Sequence, residues 1–97
     1  MTLSPLALPF LQLVFLIVSL APDSSTVRVS SFLRTREQND SVGGRPNSFH
    51  LVGLAIDLVG AATALSWILR LWQVLGFDGV DEGDHVHLEL DGPALRP

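Results

Sequence analysis

The sequence predicts a small α+β domain in which an antiparallel sheet is flanked by helices. Its 97 residues suffice for one domain with a modest core, and 47% of them are hydrophobic, which excludes wholesale disorder. Hydrophobic residues form a nearly continuous run at the start of the chain and recur every three or four positions over residues 61–75, which is typical of a helix. Over residues 85–90 they alternate strictly with polar residues, which is typical of a strand. The expected order of elements is helix, strand, loop, strand, helix, strand.

The first segment, residues 1–21, carries no ionisable side chain and has two interpretations. It would form a buried core helix, or it would be a signal peptide or membrane anchor. The apolar run from Leu6 to Ala21 fits a signal-peptide core or a marginal bilayer span, which needs about 20 residues. The lack of a basic residue before this run and Pro22 directly after it count against cleavage, and a small sheet needs a covering layer. Both interpretations stay open, including membrane contact through this segment.

The middle of the chain predicts two strands joined by a polar loop. Residues 26–31 alternate with β-branched side chains and predict a strand. Residues 36–47 are polar and contain two glycines and a proline, which predicts a loop. Residues 51–59 form a mostly apolar run that suits a buried strand, although the run carries Asp57.

The last part of the chain predicts a helix followed by a strand. Apolar side chains recur every three or four positions over residues 61–75, and Gly76 is a natural end for the helix. Residues 78–84 predict an acidic turn. Residues 85–90 alternate strictly between polar and apolar side chains, which predicts a strand, and the tail after them predicts a coil.

The composition excludes several classes of protein. The net charge is −4, and the few basic residues form no stripe that could neutralise phosphates, so we expect no nucleic-acid partner. Because there is no cysteine, disulfides, thiolate catalysis and cysteine-ligated metal sites are excluded. Three histidines and ten acidic residues remain as possible metal ligands and acid–base groups.

The three histidines lie in two short segments, at His50 and near the end of the chain. His85, His87 and Glu89 alternate along the last strand and would share one face. Two imidazoles and a carboxylate from elsewhere would suit a catalytic zinc site, which keeps an open position for water. Asp57 favours this, because a buried carboxylate is costly unless it is paired or bound to a metal. The alternatives are solvated histidines on an exposed strand and an Asp57 that caps the following helix.

A resemblance to a known family supports the zinc interpretation. Residues 48–57, SFHLVGLAID, resemble the SxHxxGxAxD motif of the zinc D-Ala-D-Ala carboxypeptidase and L-alanyl-D-glutamate endopeptidase family, which has the hedgehog/DD-peptidase fold. The segment HVH at 85–87 resembles the second motif of the family, and residues 29–35 resemble its strand–turn segment. The resemblance covers roughly residues 26–91 and implies a zinc peptidase-like domain over residues 22–97.

The resemblance also implies roles for individual residues. His50, Asp57 and His87 match the three zinc ligands of the family. Arg34 matches the arginine that binds the carboxyl or carbonyl group of the substrate and stabilises the oxyanion. The alternative for Arg34 is a surface arginine in a turn.

The identity of the general base is open between two neighbouring residues. His85 matches a histidine of the family that assists catalysis without binding zinc. Asp84 lies three residues before His87, where other branches of the family have an acidic base. Strand alternation places Asp84 on the opposite face from His87, but a bend at the start of the strand would redirect it. We favour His85 and keep Asp84 as the rival; Glu82 is a weaker candidate.

The resulting functional expectation is a zinc (Zn²⁺) metallopeptidase that cleaves peptide bonds in peptidoglycan stem peptides, as a carboxypeptidase or an endopeptidase. Such a protein would act in the cell envelope or periplasm, or be delivered to the cell wall by a phage. One alternative is a non-catalytic zinc-binding or cell-wall-binding module on the same fold. Another is a small membrane-anchored interaction protein, which would depend on residues 1–21.

Overall fold

The computed structural model of the chain describes residues 3–33, 36–44 and 49–95. Within these ranges it has three α-helices and four β-strands, with single 3-10 turns at Ser24–Thr26, Phe49–Val52 and Pro93–Leu95. In chain order the helices and strands are α1 (Ala7–Leu20), β1 (Arg28–Ser31), α2 (Arg36–Ser41), β2 (Ala55–Val59), α3 (Ala62–Val74), β3 (Gly79–Asp81) and β4 (Val86–Glu89).

The four strands form one antiparallel sheet with the order β1-β2-β4-β3. Strands β2 and β4 are therefore central, and β1 and β3 form the edges. This arrangement confirms the α+β class and the small antiparallel sheet, and it is compatible with the fold that the resemblance implies.

Alternation along the central strands separates an apolar face from a polar face. Ile56 and Leu58 of β2 and Val86 and Leu88 of β4 are almost fully buried and belong to one hydrophobic cluster with residues of α1 and α3. Because successive side chains of a strand point to opposite faces, Asp57 and the polar residues of β4 lie on the other face. Helices α1 and α3 thus cover one side of the sheet, and the candidate site occupies the other.

Helix α1 contributes directly to this core. Phe10, Val14 and Ile17, spaced three or four residues apart, are at most 3% exposed, while Leu16 and Leu20 on the opposite side of the helix are exposed. In the described ranges, no helix combines the length and the apolar character that crossing a bilayer would require. The division of the chain at residue 21 stays a prediction.

Trp72 joins α3 to the β3–β4 hairpin. Its indole ring is fully buried and meets the ring of Phe10 edge-on, with centroids 5.8 Å apart. The indole N–H donates to the carbonyl of Asp78 at 2.9 Å and to the carbonyl of Glu89 at 3.2 Å. The hairpin that carries His85 and His87 is therefore fixed to the core by both packing and hydrogen bonds.

Gly53 forms the turn that leads into β2. Its φ of +76° lies in the left-handed region, where glycine has no steric penalty. A Cβ atom here would lie 2.7 Å from Leu3 Cδ1 and 3.0 Å from the Cβ of Ala7 in α1. The glycine of the sequence motif thus allows both the turn and the close approach of α1.

Three local expectations were wrong. The segment 36–47 was expected to be a loop, yet residues 36–41 form α2, which buries Asn39 completely and ends with a hydrogen bond from the Gly44 N–H to the Asn39 carbonyl. The strand expected over 51–59 begins only at Ala55, because the 3-10 turn and the left-handed turn at Gly53 interrupt the apolar run. The acidic turn expected at 78–84 contains strand β3, which pairs with β4.

Candidate metal centre

The pairing of β2 with β4 places Asp57 directly opposite His87. Side chains of directly opposed residues on one face of an antiparallel pair are in contact distance. His87 Nδ1 accordingly lies 2.7 Å from Asp57 Oδ1. Two residues that are 30 positions apart in the sequence are thus joined by the register of the central strands.

His50 approaches the same carboxylate from the 3-10 turn before β2. Its Nε2 lies 3.3 Å from Asp57 Oδ1, and the residue is only 1% exposed. Its Nδ1 lies 2.6 Å from the carbonyl oxygen of Phe32. Because a carbonyl only accepts hydrogen bonds, Nδ1 carries a proton, so in the neutral ring the lone pair lies on Nε2, which faces Asp57.

His50, Asp57 and His87 each offer one ligand atom, and these atoms all lie within 4.8 Å of one another. The two imidazole rings are tilted at 58° with centroids 5.1 Å apart. Two imidazole nitrogens and one carboxylate oxygen are a donor set that catalytic zinc sites use. The residues present therefore fit a zinc ion, with ligands supplied by β2, β4 and the turn before β2.

His85 lies at the edge of this cluster and is more exposed than the other histidines. Its Nε2 is 3.8 Å from Asp57 Oδ2, and 26% of its side chain is accessible to solvent. Asp84 Oδ1 lies 2.5 Å from His85 Nδ1, while 90% of the Asp84 side chain is exposed. Asp84 thus contacts His85, and His85 faces Asp57.

Glu89 is a polar partner of the cluster to which the sequence analysis assigned no role. Its Oε1 lies 2.8 Å from His87 Nε2, on the opposite side of the ring from Asp57. The signal was present in the sequence, because alternation along β4 places Glu89 on the same face as His85 and His87. That pattern alone does not reveal which histidine the carboxylate contacts.

The electrostatics of the cluster favour an ionised Asp57. Burial by itself would raise the pKa of the Asp57 carboxyl, but hydrogen bonds and charge interactions with His50 and His87 outweigh burial and hold the pKa well below its ordinary value of 3.8. Burial likewise would lower the pKa of His87, but hydrogen bonds to Asp57 and Glu89 and their negative charges raise the pKa above 6.5. A cation in this cluster would therefore meet an ionised carboxylate and compete with a proton for His87.

Arg34, which the sequence analysis assigned to substrate binding, lies outside the described residues. The same holds for Ser48, the first position of the resemblance motif. Of the other assigned residues, His50, Asp57 and His87 come together in one cluster, His85 borders it, and Asp84 contacts His85.

The fold and this donor set together define a candidate metallopeptidase domain. The chain belongs to the peptidase M15 family, since the family model described as Peptidase M15 matches residues 19–89, more than half of the sequence. That family consists of metallopeptidases that are in general dependent on zinc, and the matched region contains every residue of the cluster. Neither a curated protein nor a solved structure matches the chain.

Proposed function

We propose that this domain is a zinc-dependent peptidase that hydrolyses peptide bonds in the stem peptides of peptidoglycan. The observation that carries the proposal is the cluster of His50, Asp57 and His87, in which His50 Nε2 and His87 Nδ1 lie 3.3 Å and 2.7 Å from the same oxygen, Asp57 Oδ1. Family membership supports a metallopeptidase, and the resemblance of residues 48–57 to the motif of peptidoglycan peptidases supports the substrate class.

His50, Asp57 and His87 would be the zinc ligands. A zinc ion bound there would supply Lewis-acid activation of a water molecule and polarisation of the scissile carbonyl. The protein would supply the orientation of the ligands. The Phe32 carbonyl fixes the ring of His50, and the pairing of β2 with β4 fixes Asp57 against His87.

His85 is the better candidate for the proton-transfer group. Its Nε2 faces Asp57 Oδ2 at 3.8 Å, and its partial exposure allows access by water and substrate. Asp84 accepts a hydrogen bond from His85 Nδ1, which leaves the lone pair of Nε2 directed toward the site. We therefore assign proton transfer to His85. Asp84 would orient the His85 ring and would not itself be the general base.

A groove lined in part by Phe32 would accommodate the peptide. It has a volume of about 530 Å³ and is lined by β1, the residues after β1 and α2, including Val29, Phe32, Gln38 and Val42. Phe32 connects the groove to the site, because its carbonyl contacts His50. We assign recognition of the substrate carbonyl or carboxylate to Arg34, which follows the segment after β1 in the sequence.

The test is product analysis by mass spectrometry with purified peptidoglycan. Zinc-loaded protein would release peptides or D-Ala, and both a chelator and the substitution His87→Ala would abolish the release. Arg70→Ala is the matched control, because Arg70 is an exposed residue of α3, on the helical side of the sheet, and its loss would leave the release unchanged.

The products would also distinguish a carboxypeptidase, which frees D-Ala, from an endopeptidase, which frees peptides. A folded protein that binds zinc stoichiometrically but releases nothing would refute the peptidase and favour the non-catalytic binding module. A folded protein with neither zinc binding nor release would refute the metal centre as well.

A further inference from the structure

We propose that Glu89 is a positioning residue of the metal centre. In this inference, which rests on the proposed zinc site, the Glu89 carboxylate accepts a hydrogen bond from His87 Nε2–H and thereby directs the Nδ1 lone pair toward the metal. The geometry is a carboxylate–histidine arrangement, with Glu89 Oε1 2.8 Å from Nε2 and Asp57 Oδ1 2.7 Å from Nδ1 of the same ring.

The chemistry of imidazole means that the contact with Glu89 decides which nitrogen of neutral His87 carries the proton. A neutral imidazole has one N–H and one lone pair, on different nitrogens. An ionised carboxylate can only accept, so a hydrogen bond between Glu89 and Nε2 requires the proton on Nε2. In the neutral form of His87, which is the form that binds a metal, the lone pair then resides on Nδ1, the nitrogen that faces Asp57 and, across it, His50. Without Glu89, the tautomer with Nδ1–H donating to Asp57 would compete with metal binding.

The backbone around Glu89 holds its carboxylate in this place. Glu89 lies two residues after His87 on β4, so both side chains share one face. Its N–H donates to the carbonyl of Asp78 at 3.0 Å, and its carbonyl accepts the indole N–H of Trp72 at 3.2 Å. The carboxylates of Asp78 and Asp91 lie within 4.8 Å, and an ionised carboxylate donates no hydrogen bond, so in the contact of His87 with Glu89 the ring N–H is the donor to Oε1.

The contact is also sheltered from solvent. The side chains of His87 and Glu89 are only 16% and 20% exposed, and a charge-assisted hydrogen bond at such a position is stronger than one in water. Outer-shell carboxylates of this kind typically contribute roughly 10- to 100-fold to metal affinity. This gives the size of the effect expected on removing the Glu89 carboxylate.

The first experiment measures zinc affinity by competition with a chromogenic chelator. We expect Glu89→Ala to raise the zinc Kd roughly 10- to 100-fold. Glu89→Gln keeps an oxygen that accepts from Nε2–H, so it should raise the Kd by less than Glu89→Ala. Glu37→Ala, which removes an exposed carboxylate on α2, is the matched control and should leave the Kd unchanged. Circular dichroism checks that each variant is folded.

The second experiment observes the His87 Nε2–H directly, by nitrogen–proton NMR of the zinc-loaded protein. The wild type and Glu89→Gln should show a proton that is shifted downfield and exchanges slowly with water. Glu89→Ala should lose this signal. A merely structural role of Glu89 would not produce this difference. If Glu89→Ala does not fold, the presence of the slowly exchanging proton in the wild type and in Glu89→Gln still tests the proposal.

The outcomes separate this inference from the proposed function. If the wild type binds zinc and the folded Glu89→Ala variant binds it equally well, the positioning role is refuted and the metal centre stands. An equal loss of affinity in Glu89→Gln and Glu89→Ala, or an absent protected proton in the wild type, would also refute it. If the wild type binds no zinc, the metal centre fails and this inference fails with it.

Discussion

The substitution Gly53→Ala tests the link between helix α1 and the candidate site. Two separate costs follow from the structure. The backbone φ of +76° is left-handed, which costs an alanine about 1–2 kcal/mol. The added Cβ would meet Leu3 Cδ1 at 2.7 Å and Ala7 Cβ at 3.0 Å, and overpacking of this kind costs about 1–3 kcal/mol. The free energy of unfolding should therefore fall by about 2–5 kcal/mol.

Gly43→Ala is the matched control for the conformational cost. Gly43 has a nearly identical φ of +70°, but a Cβ atom there would have no neighbour within 4 Å. Its substitution should cost only the conformational part, about 1–2 kcal/mol. The difference between the two variants, about 1–3 kcal/mol, then measures the steric contact of Gly53 with α1.

The assay is urea unfolding followed by tryptophan fluorescence, with a chelator present so that metal binding makes no contribution. Equal losses of stability in Gly53→Ala and Gly43→Ala would refute the close packing of α1 on the turn. A neutral Gly53→Ala would refute the left-handed turn as well. Adding Leu3→Ala to Gly53→Ala should restore part of the loss, because the end of the Leu3 side chain makes the shortest contact.

Three further predictions concern the hairpin and its histidines. In a chelator, the pKa of Asp57 is lowered below 3.8, so ionised Asp57 contributes stability that is present above pH 3.8 and is lost in acid. The pKa of His87 is raised above 6.5, so protonated His87 contributes stability that is present below pH 6.5 and is lost as the pH rises through the raised pKa. The Tm of the metal-free protein should therefore fall as the pH rises above 6.5, whereas the stabilisation by saturating zinc should grow over the same range. A metal-free Tm that does not fall, or a zinc stabilisation that does not grow, would contradict the raised pKa of His87. Trp72→Ala should lower the free energy of unfolding by about 3–5 kcal/mol, because it removes a fully buried ring and its two hydrogen bonds; a loss below about 1 kcal/mol in urea unfolding would exclude the described core. In the peptidoglycan assay, His85→Ala should lower kcat by roughly 100- to 10,000-fold and Asp84→Ala by much less, since Asp84 acts through His85; the reverse order would identify Asp84 as the base.

Local patterns in the sequence were sufficient for the elements with clear periodicity. Alternation over residues 85–90 predicted that Val86 and Leu88 would face the core, and both are buried. The helix expected over 61–75 is α3, Ala62–Val74. Periodicity is informative here because the pleat of a strand and the turn of a helix are properties of the adjacent backbone. The missed α2 and the shortened β2 depend instead on contacts that periodicity does not encode, such as burial of Asn39.

For the candidate site, the sequence by itself identified the residue types and the motif, and hence His50, Asp57 and His87 as candidate ligands. Their roles as ligands stay a prediction, but their proximity is a property of the structure. Only the tertiary structure decided which atoms face one another, because the register of β2 against β4 sets Asp57 opposite His87. It also decided the orientation of each ring, since the Phe32 carbonyl and the Glu89 carboxylate select the nitrogen that carries the proton. Hydrogen bonds between separate segments are set by strand pairing and turns, which the order of residues alone does not reveal.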